Sequence, residues 1–140
     1  MTDIVKLKTG SPAETRGSYS RAIAVGDLIF VSNTAGRNPD TKQIPEDPAE
    51  QTQQVLANIS RALVAVDAVL EDVVSAQVFI QFQKDIDPVM IAYANRMRGI
   101  DPILTLTSPP LGSDEFKVEI QVTAWRGASS ANVREVTLVN

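Results

Sequence analysis

Two short apolar runs, residues 22–25 and 28–32, flank Gly26-Asp27. β-favouring residues on both sides of a two-residue turn that contains glycine predict a hairpin. The second run opens into residues 33–40, a polar segment rich in turn formers that carries one arginine, Arg37. A rigid hairpin feeding a polar loop is a common place for ligand-binding groups. From Pro48 onward the period changes. Thr52, Val55, Leu56, Ile59, Ala62, Leu63, Val66 and Leu70 recur at helical spacing, opposite a face of Gln53, Gln54, Asn58, Arg61 and Asp67. That pattern predicts one long amphipathic helix, and Pro48 suits its first turn.

Residues 73–82 alternate as a strand. Val74, Ala76, Val78, Ile80 and Phe82 share one face. Val73, Ser75, Gln77, Phe79 and Gln81 share a semi-polar one, suited to a wet cleft or a subunit contact. Asp85 to Asp87 are expected to cap a second, shorter helix running to about Arg98, with Val89, Met90, Tyr93 and Met97 inward and Gly99 as its stop. A strand over residues 102–107 and a stiff Pro-Pro loop over 108–113 follow. In the last core strand, residues 116–125, Val118, Ile120, Val122 and Ala124 face one way, and Lys117, Glu119, Gln121, Thr123 and Trp125 the other. Residues 1–16 read as a polar leader over the surface, 127–132 as a linker, and 133–139 as a potential further strand.

The order ββαβαββ predicts an α+β fold: a mixed sheet with two helices on one face, forming one domain over residues 1–126 with a C-terminal extension over 127–140. No element remains to cover the other sheet face, so self-association is the economical expectation. At 140 residues the chain supports a single core, and 44% hydrophobic with 21% charged residues is ordinary for a globular protein. A net charge of −4 without a Lys/Arg cluster argues against nucleic acid or an anionic membrane as partner. There is no cysteine and no histidine. That excludes thiolate nucleophiles, disulfides, imidazole bases and His- or Cys-based metal sites. The opening residues lack a signal-peptide core and no apolar run reaches transmembrane length, so the expected compartment is cytoplasmic.

Four segments resemble one known family. Gly17-Ser18-Tyr19-Ser20-Arg21-Ala22 with the following hairpin resembles its Gly-Pro-Tyr-Ser-Gln-Ala and Val-Gly-(Asp/Asn) motif. Gln51-Thr52 with Asn58-Ile59 resembles its Ala-Gln-Thr-x-x-x-x-x-Asn helix. Residues 71–80 resemble its Asp-Val-Val-Lys-x-Thr-Val-Phe motif, and residues 117–124 its closing-strand motif. On their order and spacing the chain is identified as resembling the reactive-intermediate deaminase (Rid) family over residues 15–126. The resemblance implies a chorismate-mutase-like fold, a homotrimer with clefts between subunits, and no metal or organic cofactor. It implies hydrolysis of imines or enamines by members that keep the full site.

The family site holds a substrate carboxylate with an arginine in a Pro-x-Arg-(Ser/Thr) motif. Here Pro102-Ile103-Leu104-Thr105 stands at that place, so the arginine is Leu104. Tyr19 and Glu119 match, the glutamate being the residue that positions the attacking water. Asn33 replaces the usual glycine after Ser32, and Gln121 a second glutamate. The loop after the hairpin is similar to that of 2-aminomuconate deaminases, a branch of the family. This singles out Arg37, with Arg21, as the replacement cation for an anionic substrate. Glu119 and Tyr19 are therefore the catalytic candidates, and Arg37, Asn33, Ser32, Arg21, Leu104 and Thr105 the substrate-binding ones. The expected function is imine or enamine hydrolysis, or a related water addition, on a small and non-standard substrate. The alternative is a non-catalytic small-molecule-binding or regulatory protein. Ribonuclease activity is a weaker third reading, which the acidic charge opposes.

Overall fold

A computed structural model describes residues 3–139. Nine main elements follow one another: β1 (Ile4–Leu7), α1 (Pro12–Gly17), β2 (Ala22–Val25), β3 (Leu28–Ala35), α2 (Pro48–Ala65), β4 (Val73–Ile80), α3 (Ile86–Met97), β5 (Ile103–Thr107) and β6 (Val118–Trp125). The six strands form one sheet in the order β1-β2-β3-β6-β4-β5. All neighbours are antiparallel except β4 and β5, which are parallel and joined through α3. The sheet is thus mixed, in an α+β arrangement. The last strand is inserted at its centre, between β3 and β4.

Alternation decides which face is buried. Ala22, Ala24, Ile29, Val31, Ala76, Val78, Ile80, Val118, Ile120, Val122 and Ala124 all point to one side, where they meet Val55, Leu56, Ile59 and Leu63 of α2 and Val89, Tyr93 and Met97 of α3. The opposite side stays open and carries Phe30, Val74 and Trp125, each 42–51% exposed.

The hairpin forms as expected, with Gly26 at φ 58° in the left-handed region its turn requires. Helix α2 starts on Pro48, with the Asp47 carboxylate accepting the Glu50 amide at 2.9 Å. It ends at Ala65, short of Leu70. Asp67 takes a left-handed φ of 63°, and Leu70 is buried from a separate short turn, so the apolar stripe outlasts the helix. The expected Asp85 cap does not form, because its side chain makes no capping hydrogen bond to α3. Gly99, at φ 85°, does end that helix.

Three other expectations are corrected. Residues 4–7 are an edge strand paired with β2, and residues 12–17 are a helical turn, so the presumed polar leader is built into the sheet, with Met1 and Thr2 outside the described residues. Strand β1 escaped notice because it is held by backbone pairing with little burial: Ile4 and Val5 are more than half exposed. The fold therefore has six strands and a third helix rather than ββαβαββ. In β4, Val73 is buried and Val74 exposed, because the pairing with β6 shifts by one residue between Val73 and Ser75. The C-terminal residues 133–139 form neither helix nor strand and stay exposed.

One buried side chain ties these parts together. Gln51, on the first turn of α2, has no solvent exposure. Its Nε2 donates to the carbonyls of Pro45 (2.8 Å) and Glu115 (3.0 Å), and its Oε1 accepts from the amides of Lys117 (2.7 Å) and Val118 (3.2 Å). It thereby joins the loop before α2 to the start of β6. Gly36 is needed beside it, since a Cβ there would lie 2.6 Å from the Gln51 carbonyl oxygen. Gln51→Ala leaves four polar groups without their partner, and we expect it to lower unfolding free energy by about 3 kcal/mol or more. Urea denaturation against the exposed-face control Gln53→Ala, expected within about 0.5 kcal/mol of wild type, checks this.

Candidate functional site

The residues that converge do so through a β-bulge. Strand β3 pairs Val31 with Val122 and Thr34 with Ile120, so three steps on β3 match two on β6. The extra residue lies at Ser32-Asn33, and the irregularity re-aims the side chain. Asn33 Nδ2 donates to Glu119 Oε1 at 2.8 Å. Glu119 itself sits on the open face of β6, opposite Ala35 on one side and Phe79 on the other. Thr34 braces the bulge by donating its hydroxyl to the Ser32 carbonyl at 2.7 Å.

Arg21 enters from the residue just before β2. Its amide donates to Leu7 and its carbonyl accepts from the Ser32 amide, both at 2.9 Å, so its backbone is fixed on both sides. Because the next residue, Ala22, faces the core, Arg21 faces the open side. Its guanidinium donates to the Asn33 carbonyl at 2.8 Å and lies 5.8 Å from the Tyr19 ring centre, a cation–π arrangement. Its Nε is buried without a partner. Tyr19, Arg21, Ser32, Asn33 and Glu119 thus form one cluster.

Burial pushes the Glu119 carboxyl above its usual 4.5, and the Arg21 charge draws it part of the way back. The result is a half-buried carboxylate with one oxygen held by an amide donor. That is a suitable acceptor for a proton from water or from a nitrogen.

A residue outside the predicted set supports the cluster from behind. Glu14, 5% exposed on α1, accepts from the Thr9 amide at 3.0 Å and from the Thr9 hydroxyl. Burial works to raise its carboxyl, but the Thr9 hydrogen bonds with the charges of Arg21 and Lys8 hold it below the usual value. The Glu14 carbonyl accepts the Tyr19 amide at 3.1 Å, and Gly17 leaves room for the Tyr19 ring, which a Cβ would meet at 2.8 Å. The Ser11-x-x-Glu14 spacing is a capping-box signature and was the available sequence signal.

Other candidates lie elsewhere. The Arg37 guanidinium donates to the Lys42 carbonyl at 3.0 Å within its own loop, and the Arg37 carbonyl accepts from Asn58 of α2. Among the described residues no hydrogen bond or ion pair joins the Arg37 side chain to Glu119 or Asn33. Leu104 is in register with buried Ala76 and so lies on the helix side of the sheet. Thr105 is in register with Gln77 and faces the open side, but β5 is two strands from β6, about 10 Å away. Among the described residues no three acidic side chains gather in a way that could hold a metal ion.

Comparison with known proteins agrees with this architecture. The family described as endoribonuclease L-PSP matches residues 9–126. A RutC family protein of Pyrococcus abyssi is 37% identical over 111 residues, covering 79% of this chain and 87% of that protein. A 2-iminobutanoate/2-iminopropanoate deaminase of Rattus norvegicus is 28% identical over 133 residues, covering 91% and 95%. Rv2704 of Mycobacterium tuberculosis, a YjgF/YER057c/UK114 family member of known crystal structure, superposes with a TM-score of 0.80 at 27% identity, covering 88% of this chain and 99% of that one.

The raised Glu119 pKa has a consequence for stability. The folded state binds this proton more tightly than the unfolded chain does. Stability from this group is therefore full at low pH and falls as pH rises from the ordinary carboxylate range through the folded value. Glu119→Gln removes that loss. The variant is expected to be more stable than wild type near neutral pH, with the difference shrinking on acidification below pH 4.5. Urea midpoints across a pH series test the sign.

Proposed function

The chain belongs to the endoribonuclease L-PSP family, the group of Rid, YjgF and RutC proteins, and from that premise we propose that it hydrolyses the C=N bond of a small imine or enamine to a carbonyl compound and ammonia. The observation that carries this reading is Glu119, a partly desolvated carboxylate held by Asn33 beside the Arg21 guanidinium. The imine deaminase name of the rat relative supports the reaction class. In this reading water donates a hydrogen bond to the free oxygen of Glu119 and attacks the imine carbon. Glu119 takes the water proton and returns it to the nitrogen, giving a carbinolamine. The proton of its hydroxyl then passes through Glu119 to the same nitrogen as the C=O bond forms, the C–N bond breaks and ammonia leaves. A carboxyl tuned upward from 4.5 is better matched to both transfers than an exposed one. No cofactor is required, because the water supplies the oxygen and the imine is already electrophilic.

Arg21 is the better placed of the two predicted cations to bind an anionic group, since its guanidinium lies against Asn33 and its charge acts on Glu119. Arg37 orders the loop that follows β3 in this reading. Tyr19 and the backbone of the Ser32-Asn33 bulge orient the substrate. We further propose a cytoplasmic homotrimer whose contacts cover the open sheet face around Phe30, Val74 and Trp125, with the C-terminal residues 127–139 as an extension of the 1–126 domain. In such an assembly a neighbouring subunit completes a cleft that Glu119 and its partners line on one side only.

A second reading follows from Leu104. With leucine where the family motif carries arginine, the cleft could bind a ligand without turning it over.

Ammonia release from enzymatically generated imines separates the two. We expect turnover in wild type and a fall of about 10²–10⁴-fold in kcat for Glu119→Ala. Release of no ammonia across a panel of imino acids and dicarboxylic enamines would transfer the assignment to ligand binding. Arg21→Met is expected to raise KM for anionic substrates about tenfold or more while leaving neutral ones little changed. Light scattering at micromolar concentration should give three times the chain mass, and a value near 15.1 kDa would remove the trimer.

A further inference from the structure

Residues 133–139 are the most exposed apolar stretch of the described chain. Val133, Val136, Leu138 and Val139 are each at least 75% exposed. The segment has no glycine or proline, and Val133, Val136, Thr137 and Val139 are β-branched, which is the composition of a strand. Yet it forms none. Strand chemistry without a ladder partner points to a sheet edge outside the segment's own chain.

The root of the segment is fixed. Arg126 donates to the carbonyls of Val66 (2.8 Å) and Gly26 (2.7 Å), and the Ser129 amide donates to the buried Asp72 carboxylate at 2.8 Å. Asp72 directly precedes β4, which lies across β6 from β3, β2 and β1. From Ser129 to Glu135 an extended chain reaches about 20 Å at most.

The sheet ends in two edges, β1 and β5. Strand β5, Ile-Leu-Thr-Leu-Thr, is near the root but offers no charge to Arg134 or Glu135. Strand β1 does. Ile4 and Val5 are more than half exposed there, and Lys6 and Lys8 stand on the open-face side. Val5 and Leu7 are in register with the core-facing Ala24 and Ala22, so they lie on the helix side. An antiparallel register with Glu135 beside Lys8 sets Val136 beside Leu7, Leu138 beside Val5 and Val139 beside Ile4. Apolar side chains then extend the helix side, and Glu135 falls on the same face as the two lysines. Edge lysines discourage pairing with a neutral or basic strand, and an acidic residue at this register removes that obstacle.

The chain cannot reach its own β1 in this way. The outer side of β1 lies five strand spacings from β4, about 24 Å. We propose that residues 135–139 of one copy add to β1 of a second copy as an antiparallel outer strand, with Glu135 beside Lys8. The inference rests neither on the proposed hydrolysis nor on contacts of the open sheet face.

The chain has no cysteine, so engineered pairs report without background. The full-length double variant Ile4→Cys/Val139→Cys, mildly oxidised and run unreduced, is expected to give covalent multiples of the chain. Ile4→Cys/Leu138→Cys should link at least severalfold more slowly, because its two side chains fall on opposite faces. Adding Glu135→Lys to the first pair should slow linkage severalfold, and adding Lys8→Glu as well should restore it. The inference is overturned if no link forms between copies, or if the product is a closed single chain, which would place the strand in its own sheet. It is overturned too if Ile103→Cys/Val139→Cys, which probes β5, links as fast, or if the Leu138 pair or either single-cysteine variant does. Ammonia release by the wild type is measured separately, so none of these outcomes bears on the hydrolysis.

Discussion

Strand β6 is the last strand made and the one placed at the centre of the sheet, paired antiparallel with β3 on one side and β4 on the other. A central strand can hold a charged residue only on a face that is not core, and its alternation does this: Val118, Ile120, Val122 and Ala124 are buried while Glu119 faces the open side. Gln51 secures the register by accepting the Lys117 and Val118 amides just where β6 begins. Any slip of one residue would turn Glu119 into the core and four aliphatic residues out of it. The position of the candidate base is thus enforced by the same burial that stabilises the fold.

Around that point the neighbouring strands contribute exceptions to regular pairing. The bulge at Ser32-Asn33 turns an amide toward Glu119, and the Arg21 backbone is bonded to both β1 and β3 so that its side chain is delivered to the same place. Glu14 and Gly17 supply support from α1, the first by anchoring the Tyr19 amide and the second by leaving space for its ring. The cluster sits at half-burial, where a carboxylate is neither free in water nor fully neutralised. The unpartnered Nε of Arg21 shows that the surroundings stop short of satisfying every donor. Gln51 and Asp72 are by contrast fully engaged, while Asp85 Oδ2 and the Tyr93 hydroxyl, both at α3, are likewise buried without a partner.

Most of the framework was legible in the chain. The hairpin, α2, α3 and the three later strands follow from periods of 2 and 3.6 that burial imposes directly. The misses have two causes. Strand β1 and helix α1 bury little apolar surface and are stabilised by backbone pairing and by polar contacts such as Thr9 to Glu14, which leave no periodic trace. The exposed Val74 was misassigned because a register shift adds one residue to β4, and alternation counted from the sequence carries through a bulge uncorrected. In the site, Tyr19, Asn33 and Glu119 were visible as matches or departures in family motifs. The relative merit of Arg21 and Arg37 was not, because both are single arginines beside the same hairpin and only their hydrogen-bond partners separate them.

The amino-acid order was sufficient for the elements with a buried face, for the absence of thiol and imidazole chemistry, and for the family motifs, since each depends on residue types at short spacing. It did not reveal that β6 lies between β3 and β4, which joins Glu119 to a residue 86 positions earlier through one 2.8 Å hydrogen bond. Nor did it reveal that the Ser129 amide is held by Asp72, 57 positions earlier, which sets where the C-terminal segment leaves the sheet. Strand order and the path of a chain past its last strand are settled by how the whole core closes, and local spacing carries no record of that.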